Sequence, residues 1–163
     1  MNKALDELSL NDFTDYGLCF VCGPKNECGL GLKFERTGDK ITTSYTPSDH
    51  HQGFPGLLHG GIISSLLDEV MSRVSVLEGK WTQTVKLEVR FRRPISLCQT
   101  VTAEAEKVGE RLKLIQVEGI ILLEDGSLAA EGKGMFAPVP DHVLSEMSAN
   151  YPVLRDQWMV NKT

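Results

Sequence analysis

Apolar residues recur along this chain with two different periods. A spacing of three and four residues, which is typical of a helix, runs from about residue 60 to residue 78, and Gly79 follows as a terminator. Alternation with a period of two predicts strands at residues 32–36, 40–46, 82–93, 100–108, 112–123 and 128–138. Two strands, one long helix and four further strands predict an α+β fold, in which an antiparallel sheet carries the helix on one face.

Turn-forming residues separate the predicted strands. Gly38-Asp39 joins the first two strands, and Gly109-Glu110 and Asp125-Gly126 have the composition of tight hairpin turns. The third strand is predicted to be half-buried, because its apolar and polar residues alternate strictly. Its apolar face comprises Val85, Leu87, Val89 and Phe91.

The predicted helix has an unusual polar arc. At about 100° per residue, its apolar side chains cover half of the circumference. An ordinary surface helix has many charged residues on its polar side. The opposite arc of this helix has Asp68, near its middle, as its only ionisable residue. At the edge of the arc, Glu69 and Arg73 have the four-residue spacing that favours an ion pair. We therefore expect another surface to cover the arc, whose small residues are Gly61, Ser64, Ser65, Ser72 and Ser75.

Length, composition and charge narrow the class of protein. A chain of 163 residues suits one domain with a substantial core, and we predict a lead-in at 1–15, a domain at 16–140 and an extension at 141–163 that holds a short helix. A net charge of −5 argues against a general nucleic-acid surface. The sequence contains no recognisable signal peptide and no apolar run of membrane length, so it predicts a cytoplasmic protein without membrane contact.

The four cysteines are Cys19, Cys22, Cys28 and Cys98. Cys19 and Cys22 have the two-residue spacing of a zinc knuckle or a redox pair. A second such pair is missing from the sequence, so Cys28 and a histidine would complete a zinc site only in an irregular way. The sequence favours buried thiols that pack a turn, and it predicts no bound metal and no disulfide.

Four blocks of sequence occur in order along the chain. They are Cys19-Phe-Val-Cys-Gly23 with a later Gly-Leu-x-Leu, Gln52-Gly-Phe-Pro-Gly56, His59-Gly-Gly61 with an acid nine residues after the histidine, and Phe91-Arg-Arg-Pro94. Together they resemble the hot-dog-fold acyl-CoA thioesterases, and most closely the branch that resembles phenylacetyl-CoA thioesterase, over about residues 16–138. The resemblance implies a long central helix wrapped by an antiparallel sheet, hydrolysis of acyl-CoA to acid and CoA without a metal or cofactor, and homodimers or homotetramers with active sites between subunits.

The resemblance assigns roles residue by residue. Asp68 would act as a general base on water, or as a nucleophile towards the thioester carbonyl. His59 and the amides of Gly60 and Gly61 would hold the thioester oxygen, at a helix N-terminus whose unpaired amides and dipole suit an oxyanion. Thr84 matches a hydroxyl position that orients the lytic water in some relatives.

Other candidate positions are less regular. One branch of the family has an asparagine where this chain has Gly53, and Gln52 is the nearest residue that carries an amide. Arg90, Arg92 and Arg93 are candidates for binding the phosphates of CoA. Their alternative role is that of a charged strand edge that resists aggregation.

Structural interpretations stand beside these functional ones. Asp68 could be a buried carboxylate bound by hydroxyls, His59 could cap the helix, and Thr84 could be an ordinary strand residue. At the level of the protein, the alternative function is a non-catalytic module of the same fold that binds acyl-CoA or an acyl-carrier protein. A hydratase of this fold is a third alternative, which the thioesterase-like blocks disfavour.

Overall fold

Two strands, a long helix and four strands follow one another in the order that the sequence predicts. The computed structural model describes residues 17–150, so the predicted lead-in and residues 151–163 lie outside the described part. The elements are β1 (Glu35–Thr37), β2 (Lys40–Tyr45), a 3-10 turn (Asp49–His51), α1 (Gly60–Val76), β3 (Thr82–Phe91), β4 (Val101–Arg111), β5 (Leu114–Leu123), β6 (Leu128–Pro138) and α2 (Asp141–Asn150).

The six strands form one antiparallel sheet in the order β1-β2-β4-β5-β6-β3. Helix α1 connects β2 to β3, which lie towards opposite sides of the sheet, and it packs across the strands between them. This is the predicted hot-dog arrangement. Strand β3 is an edge strand that pairs with β6 along one side.

The helix lies close to the centre of the sheet because that region of the sheet lacks side chains. Gly119 of β5 and Gly132 of β6 are cross-strand partners. A Cβ atom on Gly119 would lie 2.9 Å from Met71 Cγ, and one on Gly132 would lie 3.1 Å from Met71 Cε. Met71 is fully buried in this position, so the glycines allow the helix to seat a large side chain on the sheet.

The first predicted strand is shorter than expected. Only Glu35–Thr37 pair with β2, whereas the sequence predicted a strand from residue 32. The Leu32 amide instead donates a hydrogen bond to the Val21 carbonyl over 2.9 Å, and Leu32 and Phe34 are buried in the core. The segment is drawn away from the sheet ladder because its apolar side chains help to cover the helix.

One predicted hairpin turn lies at a different place. The β4–β5 turn is at Leu112-Lys113, whose φ angles of 52° and 65° belong to the left-handed region, and not at Gly109-Glu110. A bulge between Lys107 and Gly109 lets β4 continue to Arg111, because the buried residues of β5 determine the register. The predicted Asp125-Gly126 turn is confirmed, with Gly126 at φ 78°.

The first part of the predicted C-terminal extension is helical. Helix α2 covers Asp141–Asn150, and the side chain of Leu144 is buried against the domain. This confirms the expected short helix. Among residues 17–150, no helix combines the length and the apolar character needed to cross a bilayer.

Candidate active site

Asp68 and Thr84 meet where helix α1 lies beside the edge strand β3. The Thr84 hydroxyl donates a hydrogen bond of 2.8 Å to Asp68 Oδ1. Partial burial raises the pKa of Asp68 above its usual range, the Thr84 hydrogen bond opposes this by stabilising the charged form, and the charge of Glu69 adds to the increase. A carboxylate with a raised pKa accepts a proton from water more readily than an ordinary aspartate does.

A bulge in β3 brings Thr84 to Asp68. Thr84 and Lys86 pair with consecutive residues of β6, so Val85 is an extra residue in the ladder. The predicted strict alternation of β3 is therefore wrong at Val85, whose side chain is 51% exposed. Without the bulge Thr84 would lie on the face opposite Leu87, but it shares the face that meets the helix. Bulges commonly re-aim a side chain next to a functional site.

His59 is the N-cap residue of α1. Its Nδ1 accepts a hydrogen bond of 2.9 Å from the Gly61 amide. An acceptor nitrogen carries no proton, so the neutral ring holds its proton on Nε2. The exposed imidazole can therefore both cap the helix and donate a hydrogen bond from Nε2 to an oxygen of a ligand.

The two glycine amides at the start of α1 differ in their bonding. The Gly61 amide already donates to His59, so it is not the unpaired donor that the sequence predicted. For the Gly60 amide, no acceptor is found within residues 17–150. The Phe91 ring lies close to Gly60, 3.6 Å from where a Cβ atom would stand. The unpaired amide is therefore next to an apolar wall supplied by β3.

Asp68 and His59 are too far apart within one chain to act on the same carbonyl group. They belong to one continuous helix region and are nine residues apart. At 1.5 Å per residue, this corresponds to about 13 Å along the helix axis. The described chain thus brings Thr84 to Asp68 and places the His59 region at a separate point.

Gln52 has its contacts in the loop before the helix. Its Oε1 atom accepts a hydrogen bond of 2.8 Å from the Gly56 amide. Beside it, a Cβ atom on Gly53 would lie only 3.0 Å from His59 Cα. This loop therefore packs directly against His59. Within residues 17–150, no hydrogen bond joins Gln52 to Asp68 or Thr84.

The three arginines near the end of β3 are exposed, but one of them has an ion-pair partner. Arg92 donates a hydrogen bond of 2.5 Å to Glu131 of the neighbouring strand. Arg90 and Arg93 are exposed without an ion pair among residues 17–150. A phosphate group could bind to these two without displacing a carboxylate.

Glu69 forms the predicted pair with Arg73, but away from solvent. An Arg73 nitrogen donates to Glu69 Oε1 over 2.6 Å, and the Arg73 side chain is only 8% exposed. The guanidinium lies 4.9 Å from the centre of the Phe34 ring and also donates to Cys22 Sγ over 2.9 Å. The sequence predicted this pair at the edge of the polar arc of the helix and did not connect it to the cysteines, because no local spacing relates residue 22 to residue 73.

Comparison with a protein-family model gives a match to the thioesterase superfamily over residues 55–130. The chain is 29% identical over 116 residues to acyl-coenzyme A thioesterase THEM4 of Bos taurus, covering 68% of this chain and 47% of that protein. It is 30% identical over 73 residues to acyl-coenzyme A thioesterase THEM5 of Homo sapiens, covering 45% of this chain and 30% of that protein. The chain thus spans half or less of the length of these relatives.

Solved structures share the same fold. One thioesterase superfamily protein has a TM-score of 0.69 and 28% identity, covering 73% of this chain and 62% of that chain. A hypothetical thioesterase protein from Streptococcus pneumoniae with coenzyme A has a TM-score of 0.63 and 15% identity, covering 66% and 88%. A phenylacetic acid degradation protein PaaI mutant from Thermus thermophilus has a TM-score of 0.62 and 22% identity, covering 68% and 95%. The last two likenesses concern the fold alone.

Proposed function

We propose that this chain, whose residues 55–130 match the thioesterase superfamily, hydrolyses acyl-CoA thioesters to the free acid and CoA. The observation that carries the proposal is the contact between Thr84 and Asp68, with a carboxylate whose pKa is raised by burial. Two similar curated proteins are named acyl-coenzyme A thioesterases, and one solved neighbour contains coenzyme A. These names support the choice of substrate class.

In the proposed reaction, Asp68 acts as the general base. Its carboxylate takes a proton from a water molecule while the water oxygen attacks the thioester carbonyl carbon. The resulting oxyanion accepts hydrogen bonds from the Gly60 amide and from Nε2 of His59. The tetrahedral intermediate then collapses, its carbon–sulfur bond breaks, and the CoA thiolate recovers the proton from Asp68. Thr84 keeps the carboxylate oriented throughout.

The site is proposed to combine two subunits. The separation of about 13 Å along one helix means that Asp68 of one chain must act with the His59 region of another. Two features favour a homodimer, or a homotetramer built from such dimers. Phe91 on the edge strand β3 is 56% exposed, and the hydroxyls of Ser64 and Ser65 bond back to helix carbonyls, which leaves a flat arc for close packing.

Arg90 and Arg93 are proposed to contact the phosphates of CoA, because they lie exposed at the end of the same edge strand. Arg90→Gln and Arg93→Gln should each raise KM for acyl-CoA by about tenfold, the scale of one lost charge-assisted hydrogen bond. KM for an acyl-pantetheine thioester, which has no 3′-phosphate or pyrophosphate, should not change. An equal effect on both substrates would remove the arginines from the phosphate site.

Release of free thiol from a panel of short, medium, long-chain and aromatic acyl-CoAs tests the activity. We expect turnover of at least one class by the native chain and none above background by Asp68→Asn. Saturable binding of CoA with no thiol release from any substrate would instead support a non-catalytic acyl-CoA or acyl-carrier-protein binding module. The panel also identifies the acyl group.

Subunit mixing tests the shared site. Asp68→Asn removes the base, and His59→Asn keeps an oxygen that can cap the helix while it removes the imidazole. Each variant alone should be inactive, but co-expression should restore about a quarter of native activity. Half of the random dimers are then mixed, and each mixed dimer has one intact site. If all catalytic groups came from one chain, no activity would return.

A further inference from the structure

Two cysteines close to α1 form a cluster that the proposed hydrolysis does not use. We propose that Cys19 and Cys22 are a reactive dithiol site, which low-molecular-weight disulfides oxidise to an intramolecular disulfide. The sequence alone favoured thiols that only pack a turn. The structure adds a buried arginine, a carboxylate and a cavity to the same two sulfur atoms.

The two sulfur atoms are held close together. Cys19 Sγ, Cys22 Sγ and a carboxylate oxygen of Glu69 all lie within 4.8 Å of one another. The Gly23 amide donates to the Cys19 carbonyl over 2.9 Å, which closes the turn that carries both thiols. A disulfide across this turn would therefore need only a small movement of the side chains.

A buried cation lies beside the two thiols. Arg73 is oriented by Glu69 and donates to Cys22 Sγ over 2.9 Å. The interaction between the two neighbouring thiols lowers the pKa of Cys19 to about 6 and raises the pKa of Cys22. The Arg73 cation beside the pair stabilises a thiolate within the cluster. We assign the nucleophile to Cys19, whose pKa is lowered, and the resolving role to Cys22.

The pair is accessible from solvent. Both cysteines are partly exposed and line a cavity of about 160 Å³ between α1 and the start of β3. Ser72 and Trp81 also line this cavity. A small disulfide can reach Cys19 there without unfolding of the chain.

A metal ion is the alternative occupant of the cluster of Cys19, Cys22 and Glu69. Structural zinc usually has four ligands, and Cys19, Cys22 and Glu69 are three. The Arg73 guanidinium already pairs with Glu69 and donates to Cys22, so it supplies the positive charge that a metal would bring. A metal would have to displace this buried cation, and thiol chemistry needs no such displacement.

The oxidation proceeds by two exchange steps. The Cys19 thiolate attacks one sulfur of R–S–S–R, the S–S bond breaks, and RS⁻ leaves as Cys19–S–S–R forms. The Cys22 thiol then gives its proton to RS⁻ and its sulfur attacks Cys19 Sγ, which expels the second RS⁻; this takes a proton from solvent. The two cysteines are oxidised, and one small disulfide is reduced to two thiols.

A variant with Cys28→Ser and Cys98→Ser isolates the pair, since the chain has four cysteines. With an excess of glutathione disulfide, mass spectrometry should show the loss of both thiol hydrogens. Adding Cys22→Ser should stop the reaction at a glutathione adduct on Cys19, and adding Cys19→Ser should slow it at least tenfold. The proposal is overturned if both additional variants form adducts at equal rates, or if no intramolecular disulfide forms.

Alkylation by iodoacetamide provides an independent readout. The rate at Cys19 should be half-maximal near pH 6 and level above pH 7, whereas the same variant in denaturant should react faster up to about pH 8.5. A rate at Cys19 that keeps rising above pH 8 would contradict the proposed thiolate. Stoichiometric zinc in purified protein that blocks alkylation until a chelator is added would assign the cluster to a metal. Neither assay depends on thioester hydrolysis, so the two proposals can fail separately.

Discussion

Asp68 and Glu69 are neighbours in the sequence, yet they have opposite surroundings. Glu69 lies against the buried guanidinium of Arg73, which donates to it over 2.6 Å. Asp68 has no cationic partner among residues 17–150 and accepts a hydrogen bond from the neutral Thr84 hydroxyl. One helical step of about 100° separates the two carboxylates and turns them towards different sides of α1.

This difference supports Asp68, and not Glu69, as the proposed general base. The Glu69 carboxylate is already engaged in an ion pair with a buried arginine. Asp68 is partly desolvated, has no cationic partner in the described part of the chain, and has a raised pKa. The pair thus separates a structural role from the proposed catalytic one, and variants of the two residues can test that separation.

The largest expected effect is on turnover. Asp68→Asn should lower kcat by at least about a hundredfold, because the general base is lost while the shape of the side chain is kept. Glu69→Gln is the matched control, and its kcat per folded molecule should stay within a few-fold of native. Steady-state thiol release measures both. Near-normal turnover by Asp68→Asn would make Glu69 the next candidate and would reverse the comparison.

The second largest effect is the loss of folding stability on substitution of Glu69. Glu69→Gln should lower the free energy of unfolding by about 3 kcal/mol, since it removes a carboxylate that pairs with the buried Arg73 side chain. Urea denaturation followed by circular dichroism measures this. A loss below 0.5 kcal/mol, the scale of an exposed pair, would show that the Glu69–Arg73 contact is not desolvated in solution.

Thr84 allows a smaller test. Thr84→Val should lower kcat by about tenfold, the scale of one hydrogen bond to a charged group, whereas Thr84→Ser keeps the hydroxyl and should be close to native. Loss of the hydrogen bond should also raise the pKa of Asp68, so the acid limb of kcat/KM moves to higher pH. Glu69→Gln removes the negative charge that raises the pKa of Asp68, so it should move the acid limb to lower pH. If Thr84→Val and Glu69→Gln shifted the acid limb in the same direction, the assignment of that limb to Asp68 would be contradicted.

The smallest effect is a pH-dependent gain in stability for Asp68→Asn. The folded-state pKa of Asp68 is raised, so the folded chain holds its proton more tightly than the unfolded chain does. The native protein therefore loses stability as the pH rises through the folded pKa. The neutral amide has no such loss, and the variant should match the native chain at low pH and exceed it at neutral pH. Unfolding curves of both proteins at several pH values measure this difference. If Asp68→Asn and the native chain were equally stable at every pH, the Asp68 carboxylate would not be desolvated in the folded protein.

Local patterns in the sequence were sufficient for the main architecture. The 3.6-residue period of α1, the alternation in the later strands and the small residues of the helix arc each lie within one segment, so their faces follow from backbone geometry. Asp68 could be selected in this way because its charge is unusual on that arc. The resemblance in four blocks added Thr84 and the His59 region as candidates.

Tertiary structure decided what each candidate touches. The bulge at Val85 reverses the alternation of β3 and turns Thr84 towards Asp68, and it depends on pairing with a strand about 50 residues later in the chain. Met71 could be seated on Gly119 and Gly132 only after two strands had paired.

The same holds for the thiol cluster, which joins Cys22 to Arg73 across 51 positions. The sequence by itself determined the order of the elements and the residue types at the site. Register, bulges and long-range contacts were decided by the tertiary structure, because they arise from the packing of segments that carry no local signal of one another.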